Sequence, residues 1–150
     1  PQAEEDVAEI IRALKLQKKT EIIWTYPGSD AEHYSVIEQI NDQDTFQIYP
    51  NMGMKRYLSI MKYCTAVIGN SSSGIIEAPT VGIPTINIGN RQNGRPQADS
   101  IYNCSCNCED ILEVLYDLEQ DVRKAYSLPY YGKNTVDIII STLEEEYGEE

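Results

Sequence analysis

The residue types able to do chemistry crowd into one run, Val67-Ile-Gly-Asn-Ser-Ser-Ser-Gly-Ile-Ile-Glu-Ala-Pro79. The apolar stretch Ala66-Val67-Ile68 reads as a short strand that runs out into Gly69. Ser71, Ser72, Ser73 and Gly74 then open a helix. Glycine lets a backbone come close to a ligand, and serine hydroxyls both cap a helix and donate hydrogen bonds. A helix N-terminus adds N–H groups without intrahelical partners and the positive end of a dipole. Together these make a cradle for a phosphate. The run is neither a P-loop nor a G-x-G-x-x-G turn, since both patterns are absent. A plainer reading also fits, in which the serines only cap a helix. Glu77 lies one helical turn beyond Ser73 and Gly74. Its carboxylate could accept from the vicinal hydroxyls of a ribose while phosphates sit at the helix start, or it could simply face solvent.

A second run, Asn87-Ile-Gly-Asn-Arg-Gln-Asn-Gly-Arg-Pro96, leaves another expected strand and carries Arg91 and Arg95. Guanidinium groups suit a diphosphate because they bind it bidentately. Both runs leave strands at their carboxyl ends, so they can converge on one ligand. No nucleophile–base pair is visible. The single histidine, His33, opens an expected helix and reads as a surface residue. Of the four cysteines, Cys104, Cys106 and Cys108 alternate along C-S-C-N-C, and Cys64 stands apart. Alternation would put three sulfurs on one face of a strand, but zinc sites favour C-x₂-C pairs or added histidines. Free thiols in a reducing cytoplasm are the simpler account. The 11 tyrosines are scattered at helical core spacing, without the interleaved basic residues of a base-stacking platform.

The elements that must position these loops follow from periodicity. Val7, Ile10, Ile11 and Leu14 stripe a helix over 4–18. Strands are expected at 21–26, 45–49, 66–68 and 85–88, with another at 101–104. Helices are expected at 31–40 with Tyr34, Ile37 and Ile40 on one face, and at 55–64 with Tyr57, Leu58 and Met61. A short helix over 75–80 is disturbed by Pro79. Ile111, Leu115, Leu118 and Val122 face inward from a helix over 109–122, and Val136, Ile139, Ile140 and Leu143 from one over 135–146. Strands alternating with helices at short spacing describe an α/β domain with a doubly wound, mostly parallel sheet. Such sheets bind ligands at the carboxyl ends of their strands.

Composition narrows the partners. The chain has 150 residues, enough for one ordinary domain, with 41% hydrophobic and 24% charged residues. A formal net charge of -12 argues against nucleic acid and anionic membrane, which need a basic face. It leaves room for a small anion held by local donors. No apolar run is long enough to span a bilayer, and no secretory signal pattern opens the chain.

The runs Gly69-Asn-Ser-Ser-Ser-Gly-Ile-Ile-Glu-Ala-Pro79 and Gly82-Ile-Pro-Thr-Ile-Asn-Ile-Gly-Asn-Arg-Gln-Asn-Gly-Arg95 resemble the hydrolysing UDP-N-acetylglucosamine 2-epimerases of sialic-acid biosynthesis. Tyr26-Pro27-x-x-Asp30 is similar to that family's Pro-Asn-Ala-Asp turn, with Gly28 in place of asparagine. Tyr131-Gly132 and Asn134 resemble its closing Tyr-Gly-x-Gly-x-Ala segment in altered form. The resemblance implies a Rossmann-like domain, the C-terminal, UDP-binding half of a two-domain GT-B-type fold. It implies that residues 1–150 lack that domain's first strand and the His-Pro turn after it.

By the same resemblance, Ser71 and Ser72 bind the UDP diphosphate, helped by N–H groups around Ser73 and Gly74. Glu77 holds the ribose hydroxyls, and Arg91 stabilises the leaving UDP. Tyr57 lies near the uracil, although it also fits the core stripe of its helix, and the backbone of Asn51–Met54 reads the base edge. The family reaction eliminates UDP from UDP-N-acetylglucosamine and hydrates the resulting glycal to N-acetylmannosamine, with no metal or cofactor. Its catalytic histidine and the acidic groups of the N-terminal domain have no counterpart here, so the chain alone is expected to bind UDP weakly and turn nothing over. The alternatives are the non-hydrolysing epimerase, a related variant that acts on a 2,4-diacetamido sugar nucleotide, a non-catalytic UDP-sugar-binding module, a glycosyltransferase donor domain and a degenerate fragment that no longer binds nucleotide. A cleft wall without its partner domain would expose an apolar patch through which two chains could pair.

Overall fold

The computed structural model describes residues 2–27, 33–121, 126–132 and 134–148. Helix α1 (Gln2–Lys15) comes first, then strand β1 (Ile22–Thr25), α2 (His33–Asn41) and β2 (Phe46–Tyr49). After these come α3 (Gly53–Met61), β3 (Val67–Gly69), α4 (Ser72–Val81) and β4 (Thr85–Ile88). The chain closes with β5 (Ile101–Cys104), α5 (Cys108–Gln120) and α6 (Thr135–Tyr147). The expected alternation of strands and helices is present, with boundaries displaced by one to three residues in most elements.

Every ladder is parallel. β1 pairs with β2, matching Ile22 to Phe46 and Thr25 to Tyr49. β4 lies between β3 and β5, with Ile86 opposite Ile68 on one side and Tyr102 on the other. All four residues of β4 are buried, as a central parallel strand covered on both faces requires. Among the described residues, five strands form a two-stranded and a three-stranded sheet, and no ladder joins β1 to β3. Helix α1 spans the divide. Its Ile11 and Leu14 pack with Phe46 of β2, while Ala13 packs with Ile86 and Ile88 of β4. Ile10 and Ile68 touch both clusters. Glu9 fixes α1 against α5, because its Oε2 accepts from the Cys108 N–H at 2.7 Å, at the start of that helix.

Some expectations are corrected. The apolar stripe of α6 is not inward: Val136, Ile139, Ile140 and Leu143 are exposed, and the helix buries none of its residues. Periodicity reports a helix, but it does not supply a partner for the apolar face. Tyr34, in the first turn of α2, is likewise 74% exposed rather than on a core face. Pro79 does not cut α4 short. The helix runs on to Val81 although Pro79 leaves the Ile75 carbonyl without its helical donor. It ends where Gly82 takes φ 87°, with Ile83 N–H on Ala78 O at 2.9 Å and Gly82 N–H on Pro79 O at 3.0 Å. The three alternating cysteines do not share a strand, since β5 stops at Cys104 and Cys108 already begins α5. Gly28, Asp30 and Val122 fall outside the described residues, and His33 begins α2.

Candidate functional site

The site grows from the loop between β3 and α4. Gly69 adopts φ 143°, a backbone conformation that L side chains rarely adopt, and turns the chain off the strand. Ser71 then stands in extended geometry as the N-cap of α4, and its Oγ accepts from the Ser73 N–H at 3.3 Å. The Gly74 N–H donates to Ser71 O at 3.1 Å. Ser71 and Ser72 remain exposed at the positive end of the helix dipole. Ser73 is half-buried. Its hydroxyl donates to Tyr57 Oη of α3 at 2.9 Å, which brings the two expected site residues together in a half-buried pair.

Gly74 is buried, and its missing side chain serves packing against β4. A β-carbon there would stand 2.7 Å from Thr85 Cγ2, and Thr85 Oγ1 donates to Gly74 O at 2.7 Å. One turn further along α4, Glu77 is half-buried, and its Oε2 is shielded from solvent without a hydrogen-bond partner. A shielded carboxylate oxygen with nothing donating to it among the described residues is costly, so this carboxylate is held here against an energetic penalty.

The second loop follows β4. Gly89 at φ 74° and Gly94 at φ 82° bend it, and turns close from Asn93 N–H to Asn90 O at 3.0 Å and from Arg95 N–H to Gln92 O at 3.3 Å. Arg91 and Arg95 are exposed while Gln92 is 4% exposed. Gln92 Nε2 donates to Asn70 O at 2.7 Å, a contact between the two loops that sequence reasoning missed. A glutamine inside a polar loop carries no periodic signal by which it could have been found. Ahead of α3, Asn51 Oδ1 accepts from the Gly53 N–H at 2.7 Å, with Gly53 at φ 66°, and this fixes the backbone of the 51–54 turn.

At the carboxyl ends of β4 and β5 lies an open cavity of about 620 Å³, lined by Gly89, Asn90, Asn103 and Cys104 among others, with Gln2 at the start of α1. It adjoins the Arg91 loop without reaching the serines. Beside it Asn87, fully buried, donates from Nδ2 to Asn103 Oδ1 at 2.8 Å. No group of His, Cys, Asp and Glu among the described residues has the arrangement to hold a metal ion. Burial pushes the Cys104 thiol up to about 11 and the Cys106 thiol up to about 12, with Asp110 and Asp6 respectively adding to the shift. Neither is poised as a nucleophile at neutral pH. No described helix is long and apolar enough to cross a membrane.

Comparison with known proteins places the chain in a family. Residues 1–144 match the family described as UDP-N-acetylglucosamine 2-epimerase. The chain is 31% identical over 110 residues to a UDP-N-acetylglucosamine 2-epimerase of Neisseria meningitidis, covering 72% of this chain and 29% of that protein. It is 34% identical over 110 residues to a GDP/UDP-N,N'-diacetylbacillosamine 2-epimerase (hydrolyzing) of Campylobacter jejuni, covering 69% and 28%. A solved UDP-GlcNAc 2-epimerase of Methanocaldococcus jannaschii, in complex with UDP-GlcNAc and UDP, superposes with a TM-score of 0.78 at 12% identity, covering 97% of this chain and 41% of that one. The chain thus spans less than a third of the length of those two curated relatives. Its helices and parallel sheets carry the α/β fold of these epimerases. The chain belongs to the UDP-N-acetylglucosamine 2-epimerase family.

Proposed function

We propose that this chain is the C-terminal, UDP-binding half of a hydrolysing UDP-N-acetylglucosamine 2-epimerase. The observation that carries the reading is the start of α4. Exposed Ser71 and Ser72 stand at its N-terminus, and the half-buried Glu77 lies one turn away. In this reading the hydroxyls donate to the diphosphate and the helix dipole favours its charge. The ribose hydroxyls donate to Glu77. The Tyr57–Ser73 pair borders the base-binding side, next to the 51–54 turn.

The chemical contribution of this half is electrostatic. Elimination of UDP leaves negative charge on the departing diphosphate, and Arg91, on the loop that Gln92 ties to Asn70, would hold that charge as it develops. Removal of the proton at C2 belongs to groups of another domain. The name of the Campylobacter relative includes the word hydrolyzing, which favours release of a free sugar over a UDP-linked product. β1 and β3 share no ladder, and α1 packs against residues of both sheets, so a further parallel strand between β1 and β3 would join the two sheets beneath that helix. Incubating the purified chain with UDP-N-acetylglucosamine and assaying for N-acetylmannosamine tests the division of labour. The reading expects none, and product formation by this chain alone would overturn it.

A further inference from the structure

Gln92 is the tie between the two loops of the site. Its Nε2 meets Asn70 O at 2.7 Å across 22 residues of sequence. A carbonyl oxygen can only accept, so the amide nitrogen is the atom that faces it. Asn70 immediately precedes Ser71, the N-cap of α4, and Arg91 immediately precedes Gln92. We propose that Gln92 is a positioning residue for the diphosphate site, clasping the α4 loop to the Arg91 loop so that Ser71 and Arg91 are held in one arrangement. The inference rests on the nucleotide reading of the α4 loop.

The geometry gives the clasp a direction. In a trans peptide the C=O and the following N–H point opposite ways. With the Asn70 carbonyl held on Gln92, the Ser71 N–H points away from Gln92. Rotation of that peptide would aim the carbonyl oxygen where the N–H stood, and a carbonyl repels an anion that an N–H attracts. Both loops are shaped by glycines with positive φ, Gly69 on one side and Gly89 and Gly94 on the other. The joining amide therefore constrains segments that their own backbone leaves free to turn.

Burial separates the roles within the second loop. Gln92 is 4% exposed, while its neighbours Arg91 and Asn93 face solvent. Gln92 Oε1 is buried with no hydrogen-bond partner. A side chain needed only to fill this space would be apolar and would leave no orphaned acceptor. The amide makes sense as a donor to the Asn70 carbonyl.

Calorimetric titration of UDP and of uridine into the parent chain and into Gln92→Met tests the clasp, together with amide hydrogen exchange over 70–74. Methionine keeps the length and removes the donor. The expected result is at least about tenfold weaker UDP binding with uridine binding unchanged, and faster exchange at 70–74. Arg91→Ala should also lose less UDP affinity in the Gln92→Met background than in the parent. If Gln92→Met does not fold, Gln92→Asn is read the same way, since it withdraws the amide by one methylene. An unchanged ratio of UDP to uridine affinity, or equal losses for both ligands, overturns the clasp. Failure of the parent chain to bind UDP overturns the nucleotide reading itself, and the role in anion binding falls with it. The two failures are told apart by the parent titration.

Discussion

Thr85 stands in the space that any side chain at position 74 would need. A β-carbon on Gly74 would lie 2.7 Å from Thr85 Cγ2, and Thr85 Oγ1 donates to Gly74 O at 2.7 Å. The start of α4 is thereby pinned to β4, the buried central strand. Gly74→Ala should destabilise the chain by roughly 1–3 kcal/mol, as overpacking does. Urea unfolding measures this. Thr85→Ser removes Cγ2 and keeps the hydroxyl, so the same alanine should cost less in that background. An equal cost in both backgrounds would show that the clash is not the cause.

Ser73 and Tyr57 share a hydroxyl–hydroxyl bond of 2.9 Å between α4 and α3. Ser73→Ala and Tyr57→Phe each remove one partner. A double-mutant cycle on stability should return a coupling of about 0.5–1.5 kcal/mol. Additive losses would mean that the pair does not hold the two helices together.

The buried thiols predict an alkaline limit. Cys104 at about 11 and Cys106 at about 12 lie above the ordinary value of 9.0, because burial disfavours their thiolates. A folded-state pKa above the unfolded one leaves stability intact below the unfolded value. Stability is then lost as pH rises from about 9 through the folded values, since only the unfolded state gives up its protons readily. Urea midpoints measured across that interval should fall, and should fall less in Cys104→Ala/Cys106→Ala. A midpoint equally pH-dependent in both chains would assign the loss to other groups.

The divide between β1 and β3 makes a separate prediction. A chain carrying an apolar, β-branched strand and a short turn ahead of Gln2 should place that strand between the two sheets. Each exposed edge would gain a ladder, and thermal unfolding should shift upward by several degrees. No shift, together with unchanged amide exchange in β1 and β3, would contradict the reading of that gap.

Periodicity was enough to read α1, α3 and α5, because each places apolar residues on a face that neighbouring elements cover, strands for α1 and α5 and helix α4 for α3. It misread α6, where Val136, Ile139, Ile140 and Leu143 keep the period but meet no covering surface. Ser71 as a cap was legible, since serine before an apolar run followed by glycine is a local signal. Gly74 was read as room for a ligand, whereas Thr85, 11 residues away, uses that room. Gln92 and its contact with Asn70, and Cys106 with its contact to Asp6 O across 100 residues, were beyond reach. Contacts between distant polar residues leave no spacing rule in the chain.

The central claim is a UDP site at the start of α4, and calorimetric titration of UDP into the chain tests it most directly. Ser71→Ala/Glu77→Ala is the matching control. The account predicts weak, saturable binding by the parent chain that is lost in the double variant. Equal binding by both chains, or no binding by the parent up to millimolar UDP, a free energy of only about -4 kcal/mol, would contradict it.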